Sequence, residues 1–385
     1  MPKMQSFIYL DYAATTPVAP EVAELMAKHL TLDGCFANPA SRSHLAGWQA
    51  EQAVEKARQQ VANLLGADVR EIVWTSGATE ANNLAIIGAA RANPDKGRHI
   101  ITSAIEHKAV LDTCSWLEKE GYSVTRLKPN SQGQISVEQV KEALTPDTLM
   151  VSLMLVNNEL GTVNPIAEIG ELLKNHSALL HVDAAQAAGK LPIDVNQLQV
   201  DLLSLSGHKF YGPKGVGALY VRRQPAVHLE AIIHGGGHER GMRSGTLPTH
   251  QLVGIGLAAE LAKEQMQADK QHLVECRATF LQQLNPSLFV QTANNASNWP
   301  GIVNLAFPSL EAETLMMALP NLAVSTGSAC NAASIDPSYV LVALGLNREV
   351  ALSSVRFSFG RYLTLAQAKL AGQQLNQALE RLKNA

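Results

Sequence analysis

The sequence predicts an α/β protein built on a mostly parallel sheet, with a second, smaller α+β unit. Three observations carry that expectation. Short apolar runs of strand length alternate with segments whose apolar residues recur at helical spacing, so crossover helices join the strands and cover both sheet faces. Two of those runs end abruptly in polar chemistry, one at Asp183 and one just before Lys209. The length, 385 residues, is long for a single core.

The elements follow in chain order. Trp48, Ala50, Ala53, Val54, Ala57, Val61, Leu64 and Leu65 recur at helical spacing. Glu71 to Thr75 reads as a strand, Asn82 to Ala90 as a helix and His99 to Ser103 as a strand, extended to Ile105 where His107 is placed at its end. A helix around Ala109 to Lys119 precedes strands near Tyr122 to Leu127 and Thr148 to Leu155, and then come the strands ending at Asp183 and Ser206. A stretch with few breakers, His250 to about Leu284, leads into the second unit. There Gly301 to Phe307 and Ser354 to Phe359 read as strands, and Leu365 to Leu382 as an amphipathic helix.

Composition narrows the classes. With 46% hydrophobic residues and a net charge of -3, the chain is expected to fold as a soluble protein. No basic tract interleaved with aromatics points to direct nucleic-acid binding. No uncharged apolar run approaches membrane-spanning length, and the first residues lack the apolar core of a signal peptide. Cys35, Cys114, Cys276 and Cys330 have no paired spacing, which suits a reduced, cytoplasmic chain; all but Cys330 are expected to be buried. His234 and His238 flank three glycines with no third ligand in register, so no metal site is expected.

Lys209 is flanked by small residues, by His208 and by Phe210, as a lysine held in a pocket would be; no other lysine has comparable surroundings. Desolvation lowers the pKa of such an amine and makes it nucleophilic toward an aldehyde, although a strand-end lysine that snorkels to water fits the same pattern. Asp183 shifts the balance. It ends an apolar strand, with Gln186 one turn further on. A strand-end carboxylate together with a pocket lysine is what pyridoxal phosphate requires, one keeping the ring nitrogen protonated and the other holding the aldehyde as a Schiff base.

The segment Thr75 to Asn83 reads as strand, glycine turn and helix start. The amides of Ala78 and Thr79, with the Thr79 hydroxyl, suit a phosphate, and Ser206 and His208 add donors. The glycines from Gly212 to Gly217 do not form a dinucleotide fingerprint. His107, at the end of the strand from His99, is either structural or a ring-stacking acid/base. Cys330 lies among small polar residues from Ser325 to Ser334, a setting that suits an exposed loop and an accessible nucleophile. Arg356 alternates with apolar neighbours; its fork suits a substrate carboxylate or a structural ion pair.

These residues sit in motifs that resemble the cysteine desulfurases of the NifS/IscS group, within the class V aminotransferase-like pyridoxal phosphate enzymes. The matching segments are Tyr9 to Pro17, Asn38 to Ser41, Ser76 to Glu80, Glu106 with His107, Val156 to Glu159, and His181 to Asp183 with Gln186. Ser206 to Gly215, Gly235 to Thr246, Ser328 to Cys330 and Arg356 to Ser358 complete them in the family's order. The resemblance implies a fold type I transferase with a mostly parallel seven-stranded sheet. It also implies a large cofactor-binding domain at 16–262 and a small domain of 1–15 and 263–385 that carries the Cys330 loop. It implies that Lys209 holds the cofactor, that Asp183 pairs with its ring nitrogen and that Gln186 meets its ring hydroxyl. Ala78, Thr79, Ser206 and His208 would bind the phosphate, joined by Thr246 from the second subunit of a homodimer. His107 would stack and exchange protons, Asn158 and Arg356 would orient the substrate carboxylate, and Cys330 would take sulfur from L-cysteine, leaving L-alanine.

The small-residue loop around Cys330 looks like the longer, IscS-type form, whose persulfide reaches acceptors such as an iron–sulfur scaffold or a tRNA-thiolation relay. The chain stops at Ala385, where relatives of that type commonly continue, so scaffold docking is expected to be weaker. Selenocysteine lyase or another class V activity is the alternative on the same cofactor. A cofactor-free binding role would need none of Lys209, Asp183, His107 and Cys330.

Overall fold

The structure is a computed structural model that describes residues 7–295, 297–326 and 336–383. Its strands are β1 (Ile8–Tyr9), β2 (Ile72–Thr75), β3 (His99–Ser103), β4 (Ser123–Leu127), β5 (Thr148–Met154), β6 (Leu179–Asp183), β7 (Leu202–Ser206), β8 (Gly217–Val221), β9 (Val290–Gln291), β10 (Ile302–Ala306), β11 (Leu322–Ala323) and β12 (Ser354–Ser358). Strands β2 to β8 form one seven-stranded sheet in the order β2-β8-β7-β6-β5-β3-β4. Only β8 runs against the others. The inner strands are buried along their whole length. That is why they read as unbroken apolar runs, the mark of a parallel sheet covered on both faces.

The helices are α1 (Pro20–Ala27), α2 (Leu45–Leu65), α3 (Ala78–Ala92), α4 (Lys108–Lys119), α5 (Val137–Ala143), α6 (Ile166–Leu173), α7 (Thr249–Leu281), α8 (Ala312–Met317), α9 (Tyr339–Ala343), α10 (Arg348–Leu352) and α11 (Leu365–Lys383). Helix α2 is capped by the His44 side chain, which accepts from Gly47 N–H, and it stops at Gly66, whose φ of 67° suits glycine. Beyond the large sheet, β9, β10 and β12 form a small antiparallel sheet, and β1 pairs with β11. The far end of α7 packs on that small sheet, with Phe280 against Phe357 at 5.1 Å between ring centroids. Among the described residues no helix is long and apolar enough to cross a membrane.

The architecture agrees with the expected class, and three details differ. Strand β8 returns antiparallel through a glycine-rich segment that carries no strand signature of its own. Helix α3 starts at Ala78, not Asn82, because its first turn is made of small polar residues that hide the helical period. The strand from His99 ends at Ser103, so His107 does not end a strand; it caps α4. Cys114 and Cys276 are buried as expected, but Cys35 is only half-buried.

Candidate active site

The carboxyl ends of the central parallel strands open into a cavity of about 950 Å³, where open α/β sheets place their ligands. Asp183 is the last residue of β6 and Ser206 the last of β7; a single 3₁₀ turn, Gly207–Lys209, then delivers Lys209. The Lys209 Nζ donates to the carbonyls of Ala13 at 2.7 Å and Ala14 at 2.9 Å. Asp183 is held from two sides. Its Oδ2 accepts from Asn82 Nδ2 at 2.8 Å, and its Oδ1 accepts from the Ala185 amide at 2.9 Å. Gln186 Nε2 donates to the Ala13 carbonyl at 2.7 Å, and Gln186 Oε1 accepts from Lys190 Nζ at 2.8 Å.

His107 accepts from the Ala109 amide at Nδ1, at 3.1 Å. That bond leaves the imidazole proton on Nε2. Burial pulls its pKa down; Asp183 opposes the shift and Lys209 reinforces it, so the ring is neutral. His208 is drawn down further, to about 4, by burial and then by Lys209, Lys214 and Lys190. Its Nδ1 lies 3.1 Å from Thr15 Oγ1. Beneath His107, the fully buried Glu106 is pushed up to about 8, chiefly by desolvation against the bond it accepts from Ser103. It is therefore a neutral acid near pH 7.

At the far wall of the cavity α3 begins. Its N-cap is Gly77, which makes no side-chain cap, so first-turn amides are left for a ligand. A Cβ on Gly77 would sit 3.6 Å from Ser206 Oγ at a φ of 154°, a backbone few other residues adopt. Glu80 accepts from Arg243 Nε at 2.8 Å and so ties the glycine-rich segment around residue 240 to this turn. On the opposite side Arg356, on β12, bonds Asp11 through Nη2 at 2.8 Å and the Asn158 carbonyl through Nη1 at 2.9 Å. The Arg356 Nε and the Asn158 Oδ1 are buried without partners, groups that a bound molecule would satisfy.

Ala78, Thr79, His107, Asn158, Asp183, Gln186, Ser206, His208, Lys209 and Arg356 all line this one cavity. Thr246 does not line it and is exposed. Cys330 lies outside the described residues. The ion pair weighed for Arg356 is present, with Asp11 as its partner. Lys108 and Lys214 also line the cavity, which corrects the expectation that Lys209 alone has pocket surroundings, and sequence reasoning missed Asn82, the Ala13 and Ala14 carbonyls, and Lys190. A carboxamide on the apolar face of α3, and a lysine four positions after Gln186 in an alanine-rich turn, were the available signals.

An uncapped helix start for a phosphate, a held carboxylate for a ring nitrogen and a recessed amine for an aldehyde are the donor set of pyridoxal phosphate, and they fit it. Fold and site thus define the class of pyridoxal phosphate-dependent α/β transferases. Residues 8–370 match the family model described as aminotransferase class-V, and the chain belongs to that family. It is similar to the cysteine desulfurase IscS of Aeromonas salmonicida (strain A449), at 58% identity over 377 residues, 98% of this chain and 93% of the relative. The cysteine desulfurase IscS of Pseudomonas putida (strain W619) is 57% identical over 378 residues, with the same coverage of 98% and 93%. A solved NifS-like protein superposes with a TM-score of 0.90 at 34% identity, covering 98% of this chain and all of its own. SspA in complex with cysteine superposes at 0.81 with 42% identity, over 93% of this chain and all of that one. Like the family, this chain depends on pyridoxal phosphate.

Proposed function

We propose that this chain is a cysteine desulfurase that takes sulfur from L-cysteine, leaves L-alanine and carries the sulfur on Cys330. One observation carries the reading: a single cavity gathers Lys209, Asp183, His107, Asn158 and Arg356, in a chain alignable over 98% of its length with relatives named cysteine desulfurase.

Bound pyridoxal phosphate supplies an aldehyde for amine exchange and a ring that accepts electrons from the substrate carbon. The protein does the rest. The first-turn amides of α3, Thr79, Ser206 and His208 bind the phosphate; Asp183, held by Asn82, keeps a proton on the ring nitrogen; Gln186 faces the ring hydroxyl. Lys209 Nζ carries the proton to and from the substrate α-carbon, and two alanine carbonyls aim it before substrate arrives. Neutral His107 presents Nε2–H to the cavity for stacking and proton exchange. Arg356 and Asn158 orient the substrate carboxylate, for which Arg356 exchanges its contact with Asp11.

Thr246, exposed and outside its own protomer's cavity, is assigned to the phosphate site of a second copy in a homodimer. The Cys330 persulfide passes to an iron–sulfur scaffold or a sulfur-relay protein in the cytoplasm. The division into a large domain at 16–262 and a small one at 1–15 and 263–385 is supported by the separate sheet of β9, β10 and β12.

The test is turnover of L-cysteine in the presence of a dithiol. Equimolar alanine and sulfide are expected, and Cys330→Ser should lose both while keeping the visible absorbance of bound cofactor. Turnover of L-selenocysteine with none of L-cysteine would replace the reading with a selenocysteine lyase. Full desulfuration by Cys330→Ser would move the nucleophile elsewhere.

A further inference from the structure

Lys190 takes no part in the chemistry assigned above and does not line that cavity, yet it bonds Gln186, which does. The side chain is half-buried, and part of its remaining surface faces a cavity of only about 20 Å³, which Tyr12, Tyr211 and Asp269 also line. Burial, reinforced by Lys209 and Arg356, draws its ammonium down to about 7. A lysine in such a place is costly unless a partner needs it. Its bond to Gln186 Oε1, at 2.8 Å, is the one that stands out.

A carboxamide has two faces of the same shape and opposite polarity, and its neighbours decide which way it points. Gln186 has a neighbour on each side. The Ala13 carbonyl can only accept, which demands the NH₂ group there. The Lys190 amine donates in both its charged and its neutral form, which demands the oxygen on the other side. The two demands agree. The second N–H of the same nitrogen is then left for whatever occupies the cavity that Gln186 lines. The Ala13 carbonyl also receives Lys209 Nζ, so one chain of hydrogen bonds runs from Lys209 through Ala13 and Gln186 to Lys190.

We propose that Lys190 is a positioning residue: it fixes the polarity of the Gln186 carboxamide, so that the site offers the ring oxygen of the cofactor an N–H and never a carbonyl. The proposal rests on the reading that Gln186 faces that oxygen. Without Lys190 the Ala13 carbonyl alone opposes a turn of the amide, and each amide that turns sets its own oxygen against the ring oxygen. Two acceptors then face each other, and a ring oxygen stripped of its donor keeps its proton to higher pH.

The experiment is a spectroscopic double-mutant cycle on the cofactor-loaded protein, reading the pH midpoint of the cofactor's visible absorbance in wild type, Lys190→Met, Gln186→Ala and the double variant. Lys190→Met should raise the midpoint by about one pH unit, the size expected for loss of one hydrogen bond to an anionic oxygen. Gln186→Ala should raise it similarly, and adding Lys190→Met to Gln186→Ala should change nothing further. An equal shift from Lys190→Met in both backgrounds would mean that its charge acts directly, and would overturn the proposal. So would a midpoint unmoved by Lys190→Met when Gln186→Ala does move it. A midpoint unmoved by Gln186→Ala would instead sink the placement of Gln186 against the ring. Lys190→Leu serves in the same cycle if the methionine variant does not fold.

Discussion

At the phosphate end of the cavity the backbone amides of the first turn of α3 are donors, and of the side chains assigned beside them Thr79 is exposed, His208 partly so, and only Ser206 is buried. At the ring end the groups are buried side chains: Asp183, Asn82, Gln186, Glu106 and Arg356 all expose 5% or less of their surface. The first end is cheap to build and hard to damage, since a peptide amide survives any substitution except proline. The second is a network of polar groups in low dielectric, where removing one partner leaves another buried and unsatisfied. The same cofactor is thus gripped by a tolerant hand and a brittle one.

Mutations at the two ends should separate accordingly. The largest effect is expected at Lys209, where no neighbour substitutes for the amine: Lys209→Ala should lower alanine formation by ~10³-fold or more, with covalent attachment of the cofactor lost on borohydride treatment and mass analysis. An adduct that survives would place the attachment at another lysine of the cavity wall, Lys214 or Lys108.

Glu106 comes next and reads out as pH dependence. Its native pKa of about 8 lies above the ordinary 4.5, so between those values the folded state holds a proton that the unfolded state has released. Stability must therefore fall as pH rises through that window and level off above it. Glu106→Gln keeps the bond from Ser103 and removes the slope, so its melting temperature should overtake wild type by several degrees at alkaline pH. Parallel curves would show that the carboxyl is ionised in the fold.

Asn82→Leu should be milder. It strips Asp183 Oδ2 of its donor inside the protein, which costs about 1–3 kcal/mol, visible as a lower denaturation midpoint in cofactor-free protein. Smallest is Thr79→Ala: the hydroxyl goes and the helix amides stay, so cofactor affinity should weaken about fivefold, equivalent to ~1 kcal/mol. If Thr79→Ala proved more damaging than Asn82→Leu, the contrast between the two ends would be wrong.

The brittle end was also the harder one to read in the sequence. Asp183 announces itself because it ends an apolar run, and Lys209, three residues beyond another such run, becomes legible once the two are read together. The phosphate turn is legible because glycine, small hydroxyls and a helix start are contiguous in the chain. Asn82 is not, because nothing local says that a carboxamide on the apolar face of α3 meets a carboxylate 101 positions later. Lys190 and the Ala13 carbonyl escape for the same reason: one is an ordinary lysine in an alanine-rich turn, and the other is backbone. Strand β8, as long as β3, β6 and β7, was missed because it is glycine-led and directly follows the glycine-rich turn from Gly212, so its start does not stand out from that turn.

The segment from Ile8 to Thr16 has a consequence for how the protein comes into being. It supplies the carbonyls that aim Lys209 and the carboxylate that holds Arg356, yet its own anchors lie far along the chain: Ala13 N–H bonds Ser358 Oγ across 345 positions, and Thr16 bonds the His208 carbonyl across 192. Made early in synthesis, it lacks the Ser358 and Arg356 contacts until β12 has emerged. Such long-range closures form late, after the local helices and the parallel sheet have condensed. A nascent chain that ends before β12 therefore carries the phosphate turn without its opposite wall, and the Ala13 carbonyl that aims Lys209 without its Ser358 anchor. Cofactor capture is in this sense a proofreading of completeness, since the aldehyde meets a properly directed amine only in a chain whose beginning and end have found each other.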